Sequence, residues 1–280
     1  MSHFPHLLLP WEASPLTLAA CGGAVVLYAL GLARGAAPAP WRIVAFLVGV
    51  ALMYLVMQTR LDYYARYLFF AHRGQHLVLH HLAPFLIAVS APGAALVAAL
   101  PAWRSAGARA PRLARTLRHG YRLLQTPWLA ATLFVGLIAF WLIPSVHFAA
   151  MLDQRLYWLM NWSMALDGLL FWWLVFADER DGATPSLTLG GRILLLIAII
   201  PPQVLLGASI ALAERPLFDV YDVCGRALAI TALEDQHIGG LLTWLPPVMM
   251  SMAGVMVLLA RHLGRARGDA EAAAFPAPAP

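Results

Sequence analysis

LFFAHRGQHLVLHHLAPFLIAVSAPG, residues 68–93, is apolar enough to span a membrane, yet it opens with His72, His76 and His80 spaced four residues apart. That spacing places three imidazoles on one face of a helix. Ionisable side chains are costly in hydrocarbon, so within a span they face the bundle interior and often mark a functional site. Imidazole is also the commonest metal ligand among side chains. His81 points off this stripe and reads as structural.

Outward from this segment the chain keeps the same character. It is 61% hydrophobic and 12% charged, about half the charge of an average soluble domain. Several apolar stretches approach or exceed the ~20 residues that cross a bilayer as a helix. The expected fold is an all-α integral membrane protein, a bundle of seven transmembrane helices near residues 15–33, 41–59, 67–90, 128–146, 156–177, 190–213 and 240–261. The domain plan is an extracytoplasmic segment 1–14, a membrane domain 15–262 and a disordered Ala/Pro-rich cytoplasmic tail 263–280. This plan leaves no room for a separate soluble catalytic domain. MSHFPHLLLPWEASP lacks the basic n-region and small-residue cleavage site of a signal peptide, so the first span is expected to stay in place. Pro201-Pro202 should kink the sixth span, because proline removes a backbone donor.

Every basic residue is arginine, and the arginines sort by membrane side. Arg104, Arg109, Arg112, Arg115, Arg118 and Arg122 follow the third span. Arg34, Arg42, Arg180, Arg192, Arg261, Arg265 and Arg267 fall on the same side. The opposite side carries fewer: Arg60, Arg66, Arg155, Arg215 and Arg226, with Arg73 just inside the third span. The positive-inside rule then puts the N-terminus outside and the C-terminus in the cytoplasm. This sorting also accounts for the net charge of +5 without nucleic acid as a partner. In this orientation His72 lies roughly 8 Å and His76 about 14 Å along a helix entering from outside. His147 and His237 flank the same outer end, and His3 and His6 also lie outside. His80 and His81 are deepest, whereas His119 and His262 are cytoplasmic.

Interhelical hydrogen bonding is the ordinary role of an intramembrane histidine. Three on one stripe, with His147 and His237 at similar depth, point instead to a metal site of His72, His76, His147 and His237, with His80 as a weaker member. Met53, Met57, Met151, Met160 and Met164 also gather toward the outer side. Thioether sulfur with imidazole suits copper(I), although methionine is equally a normal apolar filler. Met57 is retained as a candidate ligand, and Asp62 and Asp235 as partners that orient a ligand histidine. Asp167, within the fifth span, must be paired, protonated or water-facing. Cys21 and Cys224 are too few for a disulfide framework. The sequence holds no phosphate-binding glycine loop, nucleophile elbow, CxxCH or HExxH, and no catalytic residue is assigned.

Three stretches resemble the seven-helix CtaG family of cytochrome c oxidase assembly factors: YYARYLFFAHRGQHLVLHHLAPFLIAVSAPG (63–93), PSVHFAAMLD (144–153) followed by GLLFWW (168–173), and DQHIGGLLTWLP (235–246). The chain departs from the family pattern in LYWLMNWSMALDGLLFWW, where Tyr157 and Asn161 stand at positions expected to hold histidines. The resemblance implies a non-enzymatic factor of the bacterial inner membrane. It would bind copper(I) on the outer side and hand it to a nascent haem-copper oxidase subunit, with a periplasmic copper chaperone as a further partner. Two alternatives stay open. A b-type haem could be clamped between histidines such as His76 and His147, or the protein could transport copper or a small solute.

Overall fold

The computed structural model describes residues 7–100, 111–176 and 187–274. It is an all-α bundle. Five helices are long and apolar enough to cross a membrane: Pro15–Ala33, Pro40–Gln58, Gln154–Phe176, Leu189–Ala211 and Ala232–Arg267. Phe69–Val89 with Gly93–Ala99, and Arg112–Leu124 with Pro127–Trp141, pass the same test as bent pairs and bring the number to seven if each is one span.

Local chemistry sets the ends. Proline starts the helices at Pro15, Pro40, Pro127 and Pro144, where its missing N–H leaves no hydrogen bond unmade. The first span stops at Arg34, and Gly35 follows with φ 97°, the left-handed stop that favours glycine. The sixth span breaks at Ile199, just ahead of Pro201-Pro202, and resumes as Ile200–Ala211, as its prolines require. The last helix runs on to Ala274, past the boundary expected at 262–263.

Two places depart most from the pattern expected of the sequence, the stretch before the fourth span and the end of that span. The stretch after the third span holds a second helix, Pro111–Leu124, set 73° from its neighbour, rather than a plain loop. Its exposed Leu113 and Leu117 alternate with arginines, the composition of a helix that lies along a membrane surface. The fourth span ends at Trp141, and Pro144 opens a separate helix, Pro144–Leu152, that carries His147.

Antiparallel alternation gathers the loops at two ends. At one, Arg34 donates to the Ala99 carbonyl and Arg261 to that of Val89 at 2.6 Å. At the other, Arg66 meets Glu12 and Gln154, and Asp235 meets the start of the Phe69 helix. We call these the arginine end and the histidine end. Toward the arginine end the core is aromatic: Phe134 stacks on Phe171 with centroids 3.8 Å apart, beside Trp172, Phe176 and Leu196.

Candidate functional site

The histidine segment is built in three pieces. Leu68 is extended, at φ −143° and ψ 126°, and breaks the chain between Arg60–Tyr67 and Phe69–His76. The break is held from across the bundle. The Asp235 carboxylate accepts hydrogen bonds from the backbone N–H groups of Phe69 (2.9 Å) and Phe70 (2.8 Å), satisfying two of the donors that a helix start leaves open. Arg226 pairs with the same carboxylate at 2.6 Å. Below His76 the backbone widens into a π-helix over Leu77–Leu82. Pro84 follows and has no N–H to offer the His80 carbonyl, a local cause of the wider turn. Gly168 of the fifth span fills the space beside that carbonyl: a Cβ there would lie 2.3 Å from the oxygen.

The DQHIGGLLTWLP block holds this segment from the last helix. Gln236 donates to the Arg215 carbonyl and accepts from the Leu217 N–H. A Cβ on Gly239 would stand 2.3 Å from the Phe69 ring, so only glycine lets the two helices approach this closely. Thr243 accepts from Arg73 Nε at 3.0 Å.

His72, His76, His80, His81 and His147 are all buried. His72 is central: its ring centroid lies 4.2 Å from that of His76 and 5.1 Å from that of His147. His147 Nδ1 donates to the Trp141 carbonyl (3.1 Å), which leaves Nε2 to accept from the Tyr221 hydroxyl (2.9 Å). His76 Nδ1 faces Arg73 Nη1 at 3.4 Å, so Nε2–H donates to Asn161 Oδ1 at 3.0 Å. His72 differs from both. Among the described residues neither of its ring nitrogens has a hydrogen-bond partner of ordinary geometry, and the Ala65 backbone acts on the ring as a weak acceptor. A cavity of about 400 Å³ lined by His147, Phe148, Leu217 and Phe218 opens beside His147. The reverse face of the helix, with Phe70, Ala71, Gly74 and Val78, borders a larger groove of about 1020 Å³.

The structure places the other candidate residues apart from this group. His80 is separated from the upper cluster: its Nε2 meets Asp167 at 3.0 Å and its ring stacks on Phe134. His237 does not join either, since its Nε2 donates to the Ala213 carbonyl at 3.1 Å. Met57 packs in the apolar cluster around Phe46 and Val50 and lines a different pocket, with Glu12 and Asp62. Met164 is the methionine that borders His76 and His80. Among the described residues Asp62 and Asp235 contact no histidine through a hydrogen bond. Asp62 accepts from Tyr157 (2.7 Å), Gln75 (2.9 Å) and Arg66 (3.0 Å). Burial raises its carboxyl above the usual range, against the lowering effect of these partners. Its role is to fix Gln75, one residue before His76. His3 and His6 lie outside the described residues, as do Arg104, Arg109 and Arg180.

Residues without a role in the sequence reading complete the site: Arg73, Gln75, Tyr221 and Thr243, with Tyr157 and Asn161 at the positions where histidines were missing. Tyr157, Asn161 and Asp167 recur on the face of Gln154–Phe176 that meets the histidine segment. A polar side chain at helical spacing within an apolar span is the one signal that could have identified them. Among the described residues no group of three or more His, Cys, Asp or Glu side chains is arranged as it stands to hold a metal ion.

Comparison with known proteins agrees with this architecture. A family model described as cytochrome c oxidase caa3 assembly factor matches residues 6–265. An uncharacterised protein of Mycobacterium bovis and one of Mycobacterium tuberculosis are each 26% identical over 252 residues, covering 83% of this chain and 37% of theirs. An uncharacterised Mycobacterium leprae protein is 26% identical over 234 residues, covering 79% of this chain and 34% of its own. The chain thus spans little more than a third of the curated relatives it matches. No solved structure matches it.

Proposed function

Because the chain belongs to the cytochrome c oxidase caa3 assembly factor family, we propose that it assists maturation of a haem-copper oxidase in the bacterial plasma membrane by carrying copper(I) as cargo at its histidine end. The observation that supports this is His72. A fully buried imidazole with two unpartnered nitrogens is costly, and such a group calls for an explanation such as an ion. His147 is oriented as metal-binding histidines usually are, with Nδ1–H on a carbonyl and Nε2 turned inward. His76 supplies a third imidazole, and the 400 Å³ cavity beside His147 gives a route from the histidine end.

Three imidazoles suit copper among other transition metals, the oxidase-assembly family favours copper as cargo, and loading requires movement. His147 must release the Tyr221 hydroxyl, and His76 must turn from Asn161 or from Arg73. That requirement suits a carrier that gives its metal up to a nascent oxidase subunit. On the arginine distribution, the histidine end faces outside, where a periplasmic chaperone could load it.

Copper content of protein purified with copper(I) under reducing conditions tests the reading. One copper per chain is expected. His72→Ala should weaken binding more than about 100-fold, beyond the usual effect of losing an outer hydrogen-bond partner, while the protein remains inserted. His237→Ala should bind as the parent does. Undiminished binding in His72→Ala, or no copper in the parent, would overturn the assignment.

A further inference from the structure

Below His76 lies a small cavity of about 10 Å³, bordered by Arg73, His76, His80, His81, Met164 and Thr243. Its composition is unusual for the interior of a membrane bundle. Arg73 is buried, and among the described residues no carboxylate stands within ion-pairing distance of it. Its hydrogen-bond partners among the described residues are Thr243 Oγ1 and His76 Nδ1, both neutral acceptors. Guanidinium is cationic at every accessible pH, and a buried charge is ordinarily paired. Asp167, the nearest acid on the facing helix, is engaged by His80. Two further groups lining the same cavity are unsatisfied: the Nδ1 atoms of His80 and His81 are both buried and have no partner.

From this geometry we infer that the cavity is a binding site for a small monovalent anion of halide size, which supplies the missing counter-charge of Arg73. The size limit follows from the volume, which holds one particle about as large as a water molecule. The charge follows from Arg73. The donors follow from the rings: His81 can present Nδ1–H in its neutral tautomer, and so can neutral His80 when its Nε2 accepts from a protonated Asp167 carboxyl at 3.0 Å. Met164 and Leu77 close the remaining wall with apolar surface, which admits a weakly hydrated anion more readily than a strongly hydrated one. A copper ion is disfavoured at this position, because Arg73 lies in the same cavity. His76 touches this cavity through its contact with Arg73, and anion binding is measured with no copper present.

Chloride and bromide are the probes, with the full chain in detergent and gluconate replacing chloride at constant ionic strength. Binding to the folded state alone raises the thermal midpoint with ligand concentration. The parent should show a saturable rise with chloride and with bromide, and bromide anomalous scattering in crystals should place the ion between Arg73 and His81. Arg73→Gln and His81→Leu should each abolish the rise. If Arg73→Gln does not fold, His81→Leu and the anomalous map decide the matter. No saturable rise in the parent, a rise retained by His81→Leu, or a cavity holding water only in bromide-soaked crystals would overturn the site.

Discussion

The two halves of the bundle are held together by different means. Toward the arginine end, Phe134, Phe171, Trp172, Phe176 and Leu196 pack as stacked and edge-on rings. Toward the histidine end, the core mixes Phe69, Phe218 and Met160 with Tyr157, Tyr221 and a network of Asp62, Gln75, Asn161 and the histidines. Within lipid, apolar packing gains only close contact, whereas a buried polar group must find a partner or bear the cost of lacking one. The aromatic half therefore carries stability. The polar half uses partners from several helices to hold rings in place; among the described residues both nitrogens of His72 lack a hydrogen-bond partner there, as does the Trp172 indole N–H in the aromatic half. Residues that tolerate such a cost are the ones to examine for binding.

This contrast is breakable. The largest effect is expected from Trp172→Ala, since Trp172 is fully buried in the aromatic half. Truncating a buried tryptophan costs about 3–5 kcal/mol. Denaturant unfolding in detergent should show that loss, while the copper bound per folded molecule stays at the parental level. Copper lost from the folded fraction would mean that the two halves are one unit.

A smaller effect with the opposite signature is expected at the other end. Asp235→Ala removes the acceptor for the Phe69 and Phe70 N–H groups and leaves Arg226 paired with Asp222 alone. Loss of a helix cap costs about 1–2 kcal/mol. Because the capped helix carries His72 and His76, copper affinity should fall along with stability. Hydrogen exchange at Phe69 and Phe70 should accelerate. Unchanged exchange there would remove Asp235 from its positioning role.

The smallest effect is a pH dependence. Asp153 accepts from the N–H groups of Arg155 (2.7 Å) and Leu156 (3.0 Å) at the start of Gln154–Phe176. These bonds hold its carboxyl below the ordinary value of 3.8. A lowered folded value favours the ionised form, so the contribution is complete above about pH 4 and is lost as pH falls through the lower folded value. Thermal midpoints measured from pH 5 down to 3 should fall more in the parent than in Asp153→Asn. Equal slopes would show that the cap contributes nothing to acid sensitivity.

Hydropathy fixes the fold class because it is a sum over twenty residues at a time: a membrane span needs length and apolarity, and both are read locally. The bends were less visible. The break at Leu68 depends on Asp235, which lies 167 residues away in sequence, and no local pattern announces it. Glycine and proline gave partial signals, since Pro84 and Gly168 belong to different helices and acquire their meaning only where the His80 carbonyl meets both.

The four-residue spacing by itself determined that His72 and His76 share a face, because helical geometry leaves no other outcome, and their rings do lie 4.2 Å apart. Extended to His80, the same rule held only in part: His80 borders the small cavity that His76 also lines, but at the π-helical turn its Nε2 meets Asp167 and not the upper imidazoles. His237 satisfied every expectation of depth and residue type. Only the packing of Ala232–Ala274 against the end of the preceding span turned its ring to the Ala213 carbonyl, while Asp235, two residues earlier, was turned to the helix start at Phe69. Depth in the membrane is a property of position along the chain, but direction around a helix is settled by its neighbours. That is the physical reason the sequence located the histidine end, and the tertiary structure decided which imidazoles meet there.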